Sequence, residues 1–231
     1  MKILIVAATE PEVQGLVEDW IAKGFRRSET VFQVGNLQVD LLITGPGMLF
    51  TGFAMGSHLR QFSYDLSLNI GIAGAIDREL ALGDVVHITQ ERMGDLGAEN
   101  QDSSFLDLFE LKLLDAQQHP FTNGQLNNPE SATFEFLPSV NGLTVNQVHG
   151  SASSIERMCI KYPEAQVESM EGAAFFYSAL LYQIPFLAIR SISNYVEPRN
   201  RDRWDIDLAL KNLHTVVHQL LETLGSESEA G

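Results

Sequence analysis

The stretch that most limits how this chain can fold runs from Val167 to Asn194, VESMEGAAFFYSALLYQIPFLAIRSISN. A short extended run over Ala165 to Glu168 turns, at Glu171-Gly172, into an apolar helix spanning roughly Met170 to Tyr182. Pro185 ends that helix, because proline has no backbone N–H to donate. The next run, Phe186 to Ile192, reads as a buried parallel strand. It ends in the polar pair Ser193-Asn194. In open α/β sheets ligands bind at the carboxyl ends of strands. Glu171 at a strand-to-helix junction and Asn194 at a strand end are therefore expected to face one crevice.

The remaining segments repeat this grammar. Lys2 to Ala8 is an apolar strand; Thr9 offers a helix cap and Pro11 suits a first helical turn. Val13, Leu16, Val17, Trp20 and Ile21 follow at helical spacing. Glu12 thus lies beside the end of the first strand, though acidic residues favour helix amino termini for purely structural reasons. Gly35-Asn36 marks a hairpin between Thr30 to Val34 and Leu37 to Ile43. Thr44-Gly45-Pro46-Gly47 then leads into a helix over roughly Met48 to Gln61. That order can present backbone N–H groups to an oxygen-rich ligand, or serve only as a tight turn. Leu66 to Ile72 is a strand running into Ala73-Gly74-Ala75, small enough for a flat ligand to approach or for close packing. Val85 to Thr89 is extended, Glu91 to Ser104 reads as a loop over the sheet edge, and Phe105 to Leu114 has helical apolar spacing. His119 to Glu130 reads as an irregular excursion of the kind that forms lids. Leu143 to Val148 is a strand ending at His149, before a helix of about three turns. The last helix is expected from Asp205 to Leu224, and the polar tail, 225–231, as disordered. Without repeat or linker, residues 1–224 read as one domain. The expected fold is α/β: a single-domain, three-layer α/β/α structure around a central mixed twisted sheet.

Charge narrows the function. Thirty acidic residues against fifteen Lys plus Arg give a formal net charge of −15. No net positive field would offset phosphates, so nucleic acid is not an expected partner. No apolar run approaches a membrane span, and Ile3 to Ala8 is too short for a signal-peptide core. The one cysteine, Cys159, excludes an internal disulfide framework and is expected as a small buried helix residue. These features suit a cytoplasmic protein that does not engage a membrane. Against this acidic background Arg199, Arg201 and Arg203 stand together, as a self-neutralising loop or as an anion contact. His214 and His218 lie one helical turn apart, but no third ligand accompanies them, and neither metal nor cofactor is expected.

IVAATEPEV, TGPG, NIGIAGAID followed by LGDVV, VESMEG and IRSISN together resemble the nucleoside phosphorylase and nucleosidase superfamily, in particular its methylthioadenosine nucleosidase type. The resemblance implies a nucleoside phosphorylase-like fold and cleavage of an N-ribosyl bond through an oxocarbenium-like transition state. It implies Glu12 as the general base for water, Glu171 holding the ribose hydroxyls and Met170 beneath the sugar. Gly45, Ala73, Gly74, Val148, His149 and Ser169 complete the implied contacts to substrate. The adenine-cleaving members carry an aspartate where Asn194 stands. An asparagine offers an NH₂ donor and a C=O acceptor, which favours a 6-oxopurine. An amide cannot itself supply the proton a leaving purine needs at N7, and no sequence feature identifies the group that does. Ile72 replaces a serine of the nucleosidases, and Val148-His149 stands where the family has a base-stacking aromatic. Glu12 would repel a phosphate, TGPG carries no basic residue, and Arg92 is the one mid-chain candidate, so hydrolysis is expected. RSISNYVEPRNRDRW is most similar to the branch acting on futalosine, a 6-oxopurine nucleoside bearing a distal benzoate. There Arg199, Arg201 or Arg203 would pair with the carboxylate. By the same analogy the chain forms a homodimer or higher homo-oligomer and its partner is a small-molecule nucleoside. A purine nucleoside phosphorylase for inosine or guanosine, and a non-catalytic ligand-binding domain of the same fold, are the competing readings.

Overall fold

The computed structural model describes residues 1–129 and 136–227. Eleven strands are assigned among them: β1 (Lys2–Ala7), β2 (Val31–Val34), β3 (Leu37–Ile43), β4 (Leu66–Ala75), β5 (Val85–Met93), β6 (Gly97–Glu99), β7 (Phe105–Asp107), β8 (Leu126–Asn127), β9 (Ser139–Thr144), β10 (Val167–Ser169) and β11 (Phe186–Tyr195). The helices are α1 (Pro11–Ala22), α2 (Met48–Leu59), α3 (Ala152–Lys161), α4 (Gly172–Tyr182) and α5 (Ile206–Glu227).

The first strand shows why the fold has three layers. Side chains alternate faces along a strand, and β1 is apolar on both. Ile3, Ile5 and Ala7 join Trp20 of α1 and Leu213, Val217 and Leu220 of α5. Leu4 and Val6 join Met55 of α2 and Phe175 and Phe176 of α4. A strand buried on both faces needs helices on both faces, and the mixed α/β fold follows as expected.

The main sheet runs β10-β9-β5-β11-β4-β1-β3-β2, with β8 alongside β5. β10 pairs parallel with β9 and antiparallel with β4. That second pairing closes β4, β11, β5, β9 and β10 into a ring, leaving the β2 side open. The closing contact is short, Val167 opposite Ala75 and Glu168 opposite Gly74.

Several elements differ from the sequence reading. β5 continues through Glu91 to Met93, so Glu91 points into the protein rather than joining a loop. Phe105 to Leu114 is not helical: β7 pairs with β6 and is followed by turns. The Asp107 carboxylate accepts the backbone N–H groups of Phe109 and Glu110, a local turn that competes with helix formation. The excursion after His119 contributes β8, and its last residue, Glu130, lies outside the described residues. Glu10, not Thr9, is the α1 N-cap. α4 starts at Gly172, because Glu171 is its N-cap and is turned towards the glycine loop. β11 runs past Ile192 and includes Ser193 and Asn194. Cys159 is exposed on α3 rather than buried, since α3 buries only Met158. α5 extends to Glu227, past the expected start of a disordered tail; residues 228–231 lie outside the described residues. Among the described residues no helix is long and apolar enough to cross a membrane.

Candidate functional site

The end of β1 delivers Glu12 to the carboxyl edge of the sheet. Pro11 fixes the first turn of α1 and brings the carboxylate back over the strand end. Its Oε2 accepts N–H of Ala8 at 3.0 Å and of Thr9 at 2.9 Å, and Oε1 accepts N–H of Ile72 at 3.2 Å. Three amides from two strand ends thus hold one buried carboxyl. A β-carbon on Gly71 would stand 2.6 Å from Oε1, so the glycine makes room for it. Burial pushes the Glu12 carboxyl above the usual carboxylate range. The Arg190 guanidinium opposes that, the nearby Glu171 carboxylate adds to it, and the backbone N–H bonds oppose it. His214 contacts the Glu12 carbonyl oxygen at 3.0 Å, and His218 pairs with Glu222 at 3.2 Å.

Glu171 is buried at the head of α4, and its Oε1 accepts N–H of Gly47 at 2.9 Å. The glycine loop therefore gives that amide to a protein carboxylate. Gly45 N–H is likewise engaged, by the Ala8 carbonyl. Gly45 and Gly47 both take positive φ, 88° and 95°, which a side chain would strain.

Two buried charges here escaped the sequence reading. Arg190 of β11 is 2% exposed and donates to the Asn69 and Ile189 carbonyls and to the Asn69 side chain. Its signal was a lone arginine inside an apolar strand run. Glu91 is 1% exposed. It accepts the Thr144 hydroxyl at 2.8 Å, and that hydroxyl accepts Ala173 N–H at 2.7 Å, in the first turn of α4. Burial pushes the Glu91 carboxyl up to about 7, against the opposing Thr144 bond and Arg190 charge, with Glu171 adding to the rise.

The other end of the site is built by register. β11 carries a bulge between Ile192 and Asn194, after which Asn194 stands opposite Gly74. A bulge re-aims a side chain. On the other flank of β4, Glu168 also stands opposite Gly74. Glu168 and Asn194 therefore flank one glycine, two strand spacings or about 10 Å apart. Asn194 Nδ2 donates to the Tyr195 carbonyl at 3.0 Å, and its Oδ1 accepts the Ser193 hydroxyl at 2.9 Å. Glu168 accepts the His149 backbone N–H at 3.0 Å through Oε1, and its Oε2 bonds the same residue's Nδ1.

Gly74, His149, Glu168, Asn194, Arg199 and Trp204 line a small cleft of about 60 Å³. Val148, His149 and Arg199 also line an adjoining cavity of about 1280 Å³, with Met170 and, from α3, Arg157 and Lys161. Sequence reasoning found Gly74, Val148, His149, Met170, Asn194 and Arg199 and missed Glu168 and Trp204. Trp204 and Tyr195 supply aromatic walls to the small cleft, with Val148 beside them. Ala73 is buried and its carbonyl accepts the Ser193 hydroxyl at 3.3 Å. Ser169 is buried, and its hydroxyl has no partner among the described residues. Arg201 lines neither cavity; its guanidinium lies 5.5 Å from the Trp204 ring, as Arg199 lies 5.0 Å from it. Arg203 pairs with Glu197 at 3.2 Å, and Arg92 with Glu164 at 2.8 Å.

Comparison with known proteins agrees with this fold. The family model described as Phosphorylase superfamily matches residues 2–224. A futalosine hydrolase of Acidothermus cellulolyticus is 31% identical over 177 residues, 75% of this chain and 71% of that protein. A 5'-methylthioadenosine/S-adenosylhomocysteine nucleosidase of Maridesulfovibrio salexigens is 27% identical over 209 residues, 85% and 87% of the two chains. The solved structure of futalosine hydrolase from Helicobacter pylori has a TM-score of 0.78 at 16% identity, covering 96% of this chain and 98% of that one, a likeness of fold.

Proposed function

The chain belongs to the phosphorylase superfamily, and on that premise we propose that it hydrolyses the N-ribosyl bond of a 6-oxopurine nucleoside, futalosine foremost, releasing hypoxanthine. By class it is an N-glycosyl hydrolase, as its curated relatives are. The observation that carries the choice of base is the pinned amide of Asn194. The Tyr195 carbonyl can only accept, so it fixes which end of that amide is NH₂. One N–H is left for a 6-oxo group. Adenine would set its 6-amino donor against the amide donor.

The reaction follows from the residues in place. Water bonds to C1′ as Glu12 takes its proton. The C1′–N9 bond breaks, and its electrons pass into the purine. A carboxyl whose proton affinity is raised by burial suits a base working near neutrality. Glu171, steadied at one oxygen by Gly47, offers the other to the ribose hydroxyls, with Met170 under the ring. Water is favoured over phosphate because the groups a phosphate would need are engaged: Gly47 N–H by Glu171 and Arg92 by Glu164. The large cavity suits a substrate longer than a simple nucleoside, and Arg199 at its junction with the small cleft is the fork for a distal carboxylate.

A second copy of the chain is the proposed partner for an apolar surface on α2 and α4. Leu49, Phe50 and Phe53, with Tyr177, Leu181 and Tyr182, are exposed on these two helices, which pack together. One unpaired cysteine suits a reducing cytoplasm.

The experiment offers futalosine, inosine and methylthioadenosine to purified protein, with and without phosphate, and identifies the base released. Hypoxanthine from futalosine without phosphate is the expected product. Adenine release overturns the reading of Asn194, and a phosphate requirement makes the chain a phosphorylase. No release from any of the three favours a binding domain.

A further inference from the structure

An amide at Asn194 leaves the departing purine without a proton donor, and the geometry of the small cleft supplies one. Glu168 is 4% exposed and spends both oxygens on one residue, the first on the backbone N–H of His149 and the second on its Nδ1. The imidazole is thereby fixed in place and orientation by a buried carboxylate. Its other nitrogen, Nε2, has no partner among the described residues, and the ring lines the cleft that Asn194 and Gly74 also line. Because Glu168 and Asn194 both stand opposite Gly74, a purine edge placed over that glycine has His149 on one side and Asn194 on the other.

We propose that His149 is the catalytic acid that protonates the leaving base, with Glu168 as its positioning residue. This rests on the nucleosidase reading above and adds the residue that reading lacks. As C1′–N9 breaks, its electron pair enters the purine and N7 takes the proton from Nε2. Asn194 donates its free N–H to the 6-oxo group from the other side. Water's oxygen bonds C1′ and its proton goes to Glu12. His149 is left neutral and Glu12 protonated, and exchange with solvent resets both.

The test compares His149→Asn and Glu168→Gln with the wild type on a nucleoside and on its N7-methylated counterpart, inosine and 7-methylinosine. The methylated base already carries the positive charge and leaves without a proton. Loss of a general acid is expected to lower kcat on inosine by about 10²–10³-fold in His149→Asn, and on 7-methylinosine by no more than about tenfold. Equal losses on both substrates, or an undiminished rate on inosine, overturn the proposal. The pair of substrates carries whichever base the wild type releases. A wild type that prefers adenine nucleosides therefore refutes the reading of Asn194 while His149 is still tested.

Discussion

Replacing Glu91 by Gln removes a buried negative charge while keeping an oxygen for the Thr144 hydroxyl. In the wild type this carboxyl is lifted from the ordinary 4.5 to about 7, chiefly by burial. The folded state therefore holds the proton more tightly than the unfolded chain does. Stability from this group is complete below the unfolded value and is lost as pH rises through the folded value. At about 1.4 kcal/mol per pH unit, the interval from 4.5 to about 7 is worth about 3 kcal/mol. Glu91→Gln should abolish this dependence. Its two new N–H donors add a pH-independent cost of about 1–3 kcal/mol if left unpaired, so the slope, not the absolute stability, carries the test. Urea unfolding of both proteins between about pH 4 and pH 8 gives the difference in unfolding free energy at each pH. That difference should move in favour of the variant by about 3 kcal/mol across the range. Parallel curves would refute the argument that Glu91 is ionised at a cost in the folded protein.

Glu12→Gln should lower kcat by about 10²–10⁴-fold. The wild type's acid limb should lie above the ordinary glutamate range, in line with the direction of the Glu12 shift, and be missing from the variant's residual rate. Gly71→Ala would set a β-carbon 2.6 Å from Glu12 Oε1; thermal melting should show a loss of about 1–3 kcal/mol, and kcat should fall with it. Asn194→Asp should shift the ratio of kcat/KM for 6-amino over 6-oxopurine nucleosides upward by about 10²-fold or more, and an unchanged ratio would remove this residue from base selection. Arg199→Gln should raise KM for futalosine by about tenfold, roughly the worth of one charged hydrogen bond, and leave KM for inosine where it was.

Local pattern was enough for most of the scaffold. β1, the β2–β3 hairpin, α1, α4 and β11 were legible because their apolar spacing and their Gly and Pro punctuation are local properties. Glu12, Glu171 and Asn194 were legible for a related reason: each sits where a strand run stops, and the motifs around them carry the family resemblance that the comparisons bear out. Phe105 to Leu114 was misread because apolar spacing does not register a side chain such as Asp107 competing for backbone donors. Glu91 was missed because nothing local distinguishes a buried carboxylate on a strand from an exposed one in a loop. Its burial depends on β9 and α4 closing over it.

What the sequence determined by itself was the alternation of elements, the two-sided burial of the sheet, and the residue types at the strand ends. Which of those residues meet depends on how distant strands pair in the folded chain. β10 joins β4 through a pairing of distant segments, and a bulge at Ser193 turns Asn194 into the cleft. These two facts set Glu168, Gly74 and Asn194 in one row and give His149 a buried carboxylate to rest on. Register between strands is fixed by hydrogen bonds and packing across the whole sheet, so no local reading of the chain could have supplied it.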